Sequence, residues 1–98
     1  MGQKALMVAA LFAALSGCIQ QGRDFATSPV ANIQQNVTTQ DEIFSHFGEP
    51  LRKGIENGYE TWSYSYNYWE LTQLQDSKEL TVVFNKDNTV RSYSFSTK

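Results

Sequence analysis

The chain has 98 residues, one cysteine, eight lysines and arginines against ten aspartates and glutamates, and a net charge of −2. That length holds one small domain. A single cysteine allows neither an internal disulfide nor a cysteine-based metal site, and an acidic chain without a basic cluster lacks the electrostatic footprint of a nucleic-acid binder.

The N-terminus carries the strongest local signal. Met1-Gly2-Gln3-Lys4 has one positive charge, Ala5 to Leu15 is an unbroken apolar run, and Leu15-Ser16-Gly17-Cys18 follows. A charged start, a short apolar stretch and small residues before a cleavage point describe a secretory signal peptide. The apolar run gives only about 16 Å of helix at ~1.5 Å per residue, roughly half a bilayer core, so it is not a span. Leu15-Ser16-Gly17-Cys18 resembles the bacterial lipobox, in which an aliphatic and two small residues precede the cysteine that is lipidated before cleavage. On that reading residues 1–17 are a lipoprotein signal peptide. Cys18 is then the lipidation site and first mature residue, held to the membrane by acyl chains of the palmitate kind. A plain signal peptide cut near Ala14 or Gly17 is the alternative, and it leaves a free thiol. Loss of Lys4 leaves seven basic and ten acidic side chains, without a polybasic patch for anionic lipid.

Residues 18–28 show no periodicity and read as the lipid anchor and a flexible tether, which keeps the domain within ~33–36 Å of the membrane for ten extended residues. The folded domain is expected over 29–98. Pro29 after Ser28 suits a first helical position with Ser28 as cap, and a helix from Pro29 to about Gln34 places Val30 and Ile33 on one side. Gln35-Asn36 is the break, because Asn tolerates the left-handed conformation of a helix end. A second helix starts at Thr38 or Thr39, with Asp41 or Glu42 respectively three residues on in a capping box. Ile43, Phe44 and Phe47 form its apolar stripe, and Gly48 and Pro50 end it.

From Tyr59 the period changes to two. Trp62, Tyr64, Tyr66 and Tyr68 alternate with Thr61, Ser63, Ser65 and Asn67, a half-buried strand preceded by the turn signal Asn57-Gly58. Glu79 to Asn85 is a second strand with Leu80, Val82 and Phe84 on one face. Asn85 to Asn88 makes a hairpin turn, and Val90 to Phe95 is the third strand. The expected fold class is α+β: two short N-terminal helices packed on a three-stranded antiparallel meander. Trp69 to Ser77 is then a connection, longer than a tight hairpin needs.

The order Ile33…Val37-Thr38…Ile43…Phe47-Gly48-Glu49-Pro50, Gly58-Tyr59-Glu60-Thr61-Trp62-Ser63-Tyr64, Leu80-Thr81-Val82-Val83-Phe84-Asn85 and Val90 resembles the SmpA/OmlA (BamE-like) lipoproteins. The resemblance spans about Ile33 to Phe95. It departs at Asn36, where the family usually has glycine, and along the tyrosine-rich Tyr64–Trp69 run. It implies an ααβββ domain, facing the periplasm from the outer membrane, that serves as a non-catalytic accessory of the β-barrel assembly machinery. Ile19 after the cysteine, rather than Asp, fits outer-membrane delivery in such lipoproteins. The same fold also implies two alternatives, an inhibitor of a periplasmic enzyme and an accessory of a secretion or conjugation channel, since fold does not fix function.

The residues themselves offer no catalytic, cofactor or metal constellation. His46 is the sole histidine and falls on the solvent side of the second helix. Glu42 with Glu49, and Glu56 with Glu60, read as solvated surface charge rather than acid–base pairs. The feature that calls for a partner is aromatic. Trp62 and Tyr64 read as core, whereas Tyr66, Tyr68 and Trp69, with Leu71 and Leu74 beyond them, form a candidate surface for an envelope protein complex, large and half polar as interface residues tend to be.

Overall fold

The structure, a computed structural model, describes residues 18–98; the expected signal peptide, residues 1–17, lies outside the described residues. The described chain forms strand β1 (Cys18–Gly22), a 3-10 helix (Ser28–Asn32), helix α1 (Gln40–Phe47), and strands β2 (Arg52–Glu56), β3 (Tyr59–Glu70), β4 (Gln73–Phe84) and β5 (Val90–Thr97).

Strict alternation along β3 divides its side chains between two faces. Trp62, Tyr64 and Tyr66 point to one face and are buried; Thr61, Ser63, Ser65 and Asn67 point to the other. Their partners on β4 follow suit, with Trp62 opposite Val82 and Tyr64 opposite Leu80. On β5, Phe95 and Tyr93 oppose Leu80 and Val82, and Val90 reaches Phe84 through a bulge. The inner face is covered by α1, which buries Ile43 and Phe47, by the 3-10 helix with Val30, and by Phe25 and Ile33 from the flanking segments. The outer face is hydroxyl-rich: Ser63 opposes Thr81 and then Ser94, and Ser65 opposes Glu79 and then Ser96.

Helix α1 is held at both ends. Thr39 caps it: its Oγ1 accepts from the Glu42 N–H at 3.2 Å, and Glu42 Oε1 accepts from the Thr39 N–H at 3.4 Å. Of the two alternatives in the sequence, Thr39 with Glu42 is the box; Thr38 is buried instead, and its hydroxyl accepts from Gln34 N–H at 2.8 Å. Asn36 between them has φ 64°, the left-handed conformation expected for it. Glu60 then ties the helix start to the sheet, accepting from Gln40 Nε2 at 2.6 Å and Trp62 Nε1 at 2.7 Å. At the other end Tyr64 Oη donates to the Gly48 carbonyl at 2.9 Å.

The expected two helices on a three-stranded meander are corrected, among the described residues, to one α-helix on a five-stranded antiparallel sheet. Residues 28–32 close only i→i+3 bonds, Val30 N–H to Thr27 C=O at 3.1 Å and Ile33 N–H to Val30 C=O at 3.2 Å. Pro29 supplies no donor, Val30 and Asn32 are poor helix formers, and so short a segment does not nucleate an α-helix. The i, i+3 spacing of Val30 and Ile33 suits a 3-10 turn, where such positions eclipse.

The two added strands, β1 and β2, are exposed at every residue. They carry no alternation because neither faces a core, and they exist to pair the outer edge of β3. β2 covers Tyr59–Ser63 and β1 covers Tyr66–Glu70. Asn57 and Gly58, both at positive φ, close the β2–β3 hairpin in the manner of a type I′ turn. Gly22 ends β1 where a Cβ would lie 2.2 Å from the Ser65 carbonyl oxygen, so only glycine fits that approach. Cys18–Gly22 is thus paired strand rather than tether.

The Trp69–Ser77 connection is likewise corrected. It is the far end of the β3–β4 hairpin, which turns at Leu71-Thr72. A register shift between Tyr68 and Trp69, with Tyr68 opposite Asp76 and Trp69 opposite Leu74, interrupts the alternation that would have announced it.

Ile43 has no exposed surface, so Ile43→Ala is expected to lose roughly 2–5 kcal/mol of stability. Thr39→Ala, which removes only the cap, should lose about 1 kcal/mol. Urea denaturation of the two variants measures both, and near-equal losses would contradict this division of roles.

Candidate interaction site at the hairpin end

The alternation that builds the core also sorts the candidate residues. Tyr66 is 9% exposed and belongs to the core cluster, with Lys78 Nζ 5.5 Å over its ring. Lys78 in turn bridges to Asp24 at 2.7 Å, joining β4 to the segment after β1. The Lys78 ammonium and the Phe25 N–H hold the Asp24 carboxyl below its ordinary range, and the carboxylate raises Lys78. Burial pushes the Tyr64 hydroxyl well above its usual range, Glu49 adding to it.

The structure gathers Tyr68, Trp69, Leu71 and Leu74 at one end of the sheet, with Cys18 beside them. Cys18 opposes Glu70, the last residue of β3, and is exposed. Tyr68 packs against the edge of the core, and its Oη donates to Cys18 Sγ at 3.3 Å. That bond is the main cause that raises Tyr68 above its ordinary pKa, with Glu70 acting in the same sense.

Trp69 points to the opposite face from Tyr68. Its register partners are Ile19 on β1 and Leu74 on β4, so three apolar side chains lie in one row on the outer face. The bulge creates this row: without it Leu74, an even number of residues from Leu80, would face the core side. Ile19 is 51% exposed, and Leu71, at the turn, is 73% exposed. Sequence reasoning missed Ile19, which carries no periodic signal and joins the cluster only through pairing.

Two local penalties concentrate here. Leu71 adopts φ 56°, where the other positive-φ residues besides glycine, among the described residues, are Asn36, Asn57 and Asn88. Trp69 Nε1 is out of solvent and has no hydrogen-bond partner among the described residues.

The remaining candidates have structural neighbours. His46 is exposed in the last turn of α1, its ring 6.4 Å from that of Phe47. Glu42 belongs to the cap, Glu49 pairs with Lys53 at 3.3 Å on the surface, Glu60 accepts from Trp62 and Gln40, and Glu56 is exposed on β2. Among the described residues no group of three His, Cys, Asp or Glu side chains could hold a metal ion, and no helix is long and apolar enough to cross a membrane.

A protein-family model, the outer membrane protein assembly factor BamE domain, matches residues 25–94. No curated protein sequence matches the chain.

The contrast between the two tryptophans is testable. Trp62→Ala should cost roughly 3–5 kcal/mol, and Trp69→Ala, on a half-exposed row, only about 1 kcal/mol; thermal melts that coincide would place Trp69 in the core. Because Asp24 is lowered on folding, its contribution is complete above the ordinary carboxyl range and disappears as pH falls through the depressed value. The Asp24 side chain is 62% exposed, so Asp24→Asn should cost under ~1 kcal/mol at neutral pH. The difference from the parent should vanish in acid, as a pH series of melts would record.

Proposed function

This chain belongs to the BamE domain family of outer membrane protein assembly factors, and on that premise we propose that it is a non-catalytic lipoprotein accessory of the β-barrel assembly machinery. Residues 1–17 are the signal peptide, Cys18 carries the lipid, and the domain faces the periplasm from the outer membrane. The observation that carries the reading is the family match over residues 25–94, beside a lipobox-like Leu15-Ser16-Gly17-Cys18.

The domain supplies two surfaces for such work. β5 is an edge strand: among the described residues only Val90 is bonded on its outer side, to Asn36 and Thr38, and Arg91–Ser94 is exposed beyond it. An open edge of this kind offers backbone donors and acceptors to an added strand. The second surface is the hairpin end, formed by Tyr68, Trp69, Leu71 and Leu74 with Cys18, the lipid attachment point, beside them.

Two measurements test the reading. Fatty-acid labelling in cells should mark the parent protein and not Cys18→Ala; label on the Cys18→Ala protein would refute the anchor. A photocrosslinker at Ser94 should capture a component of the outer-membrane assembly complex. Stoichiometric capture of one periplasmic enzyme would instead establish an inhibitor, and capture of a secretion-channel subunit a channel accessory.

A further inference from the structure

We infer that the tip of the β3–β4 hairpin, with Leu71 foremost and Trp69 and Ile19 behind it, sits in the headgroup–acyl boundary of the bilayer, so that the molecule meets the membrane through protein as well as lipid. This rests on the proposed acylation of Cys18 and names the occupant of the hairpin end.

Geometry supplies the first argument. An anchor on a flexible tether would leave the domain free to roam, whereas Cys18 is itself a paired residue of β1. It lies opposite Glu70, one residue from the turn. Opposed Cα atoms are ~5 Å apart and successive ones 3.8 Å, so the anchor and Leu71 lie within about 10 Å of each other. Acyl chains leaving Cys18 into a membrane therefore carry the turn to the same surface. Tyr68 Oη donates to the Cys18 sulfur, and a thioether sulfur still accepts.

Chemistry supplies the second. Beside Glu70 and Tyr68, which meet Cys18 directly, the apolar side chains at this end are a 73% exposed leucine, a 51% exposed isoleucine and a tryptophan. Exposed aliphatic tips flanked by indole and phenol are what a bilayer interface accepts, the rings lying at headgroup level. The turn backbone supports the same conclusion. Leu71 holds φ 56°, a conformation that glycine adopts without strain, so a large apolar side chain stands where local stability favours none. Charge near the tip is mixed, with Glu70 exposed, Asp76 opposite Tyr68, and Lys98 Nζ donating to the Leu74 carbonyl. Insertion by apolar side chains, rather than attraction to anionic headgroups, is the mode this end supports.

The experiment uses the lipoprotein purified from membranes and reconstituted in phosphatidylcholine vesicles, with and without phosphatidylglycerol. Acyl chains brominated close to the headgroup serve as the quencher. Trp69 emission, taken as the difference between the parent and Trp69→Phe, should fall at least twofold on bromination in both lipid mixtures. Trp62, the tryptophan left in Trp69→Phe, is in the core and should lose no more than a tenth. Leu71→Gly suits the turn backbone at least as well, so its melting temperature should equal or exceed the parent's. Its Trp69 quenching should nonetheless drop at least twofold. Vesicle-bound protein whose Trp69 is not quenched would overturn the inference and leave the lipid anchor intact. Protein that fails to sediment with vesicles would overturn both. Unchanged quenching in Leu71→Gly would also overturn the role given to the tip.

Discussion

Strand β3 runs for twelve residues, and the backbone N–H and C=O groups along both of its edges must find partners. One edge is met by β4 over nearly the full length. The other is shared end to end by β2 and β1, neither of which has a buried residue of its own. Backbone pairing alone thus recruits two polar segments, closes the gap between them with the Arg23–Ser65 and Leu51–Ser63 bonds, and fixes Cys18 beside the hairpin turn. The site at that turn follows from the length of β3, since a strand ending near Tyr66 would leave β1 unpaired and the cysteine free.

The inner face of β3 then organises the core. Trp62 sits 5.0 Å from the Phe84 ring and 6.5 Å from Phe44, while Phe25, Phe47 and Tyr64 form a second aromatic group at 5.7–6.3 Å. Tilted and edge-on pairs of this kind add to the burial of their area. Polar tips are satisfied within the same layer, Trp62 by Glu60 and Tyr64 by the Gly48 carbonyl. Trp69 has the same side chain without either advantage, because odd–even position and a bulge put it on the outer row with its N–H unpaired. Burial is concentrated at one end of the sheet, and the other, next to Cys18, holds exposed apolar residues. A small domain holds its structure near α1 and can therefore carry strained, apolar residues at the hairpin tip.

Much was legible in the residues themselves. Alternation from Trp62 to Tyr66 and from Leu80 to Phe84 marked both central strands and their buried faces, because one face is packed and the other wet. A capping box at Thr38 or Thr39, the left-handed Asn36 and the Asn57-Gly58 turn are local chemistry, readable within a few residues, and the order of motifs carried the family; the structure chose Thr39 with Glu42. Tertiary structure decided the rest. The Pro29 segment had helical spacing but too little length to nucleate, β1 and β2 carry no pattern because they face no core, and Ile19 joins Trp69 only through strand pairing. A bulge in β4, invisible to period counting, turned Leu74 outward and converted an apparent loop into the end of a hairpin. Local propensity and burial leave a mark in sequence order, whereas edge pairing depends on which backbone happens to lie alongside, and only the assembled sheet determines that.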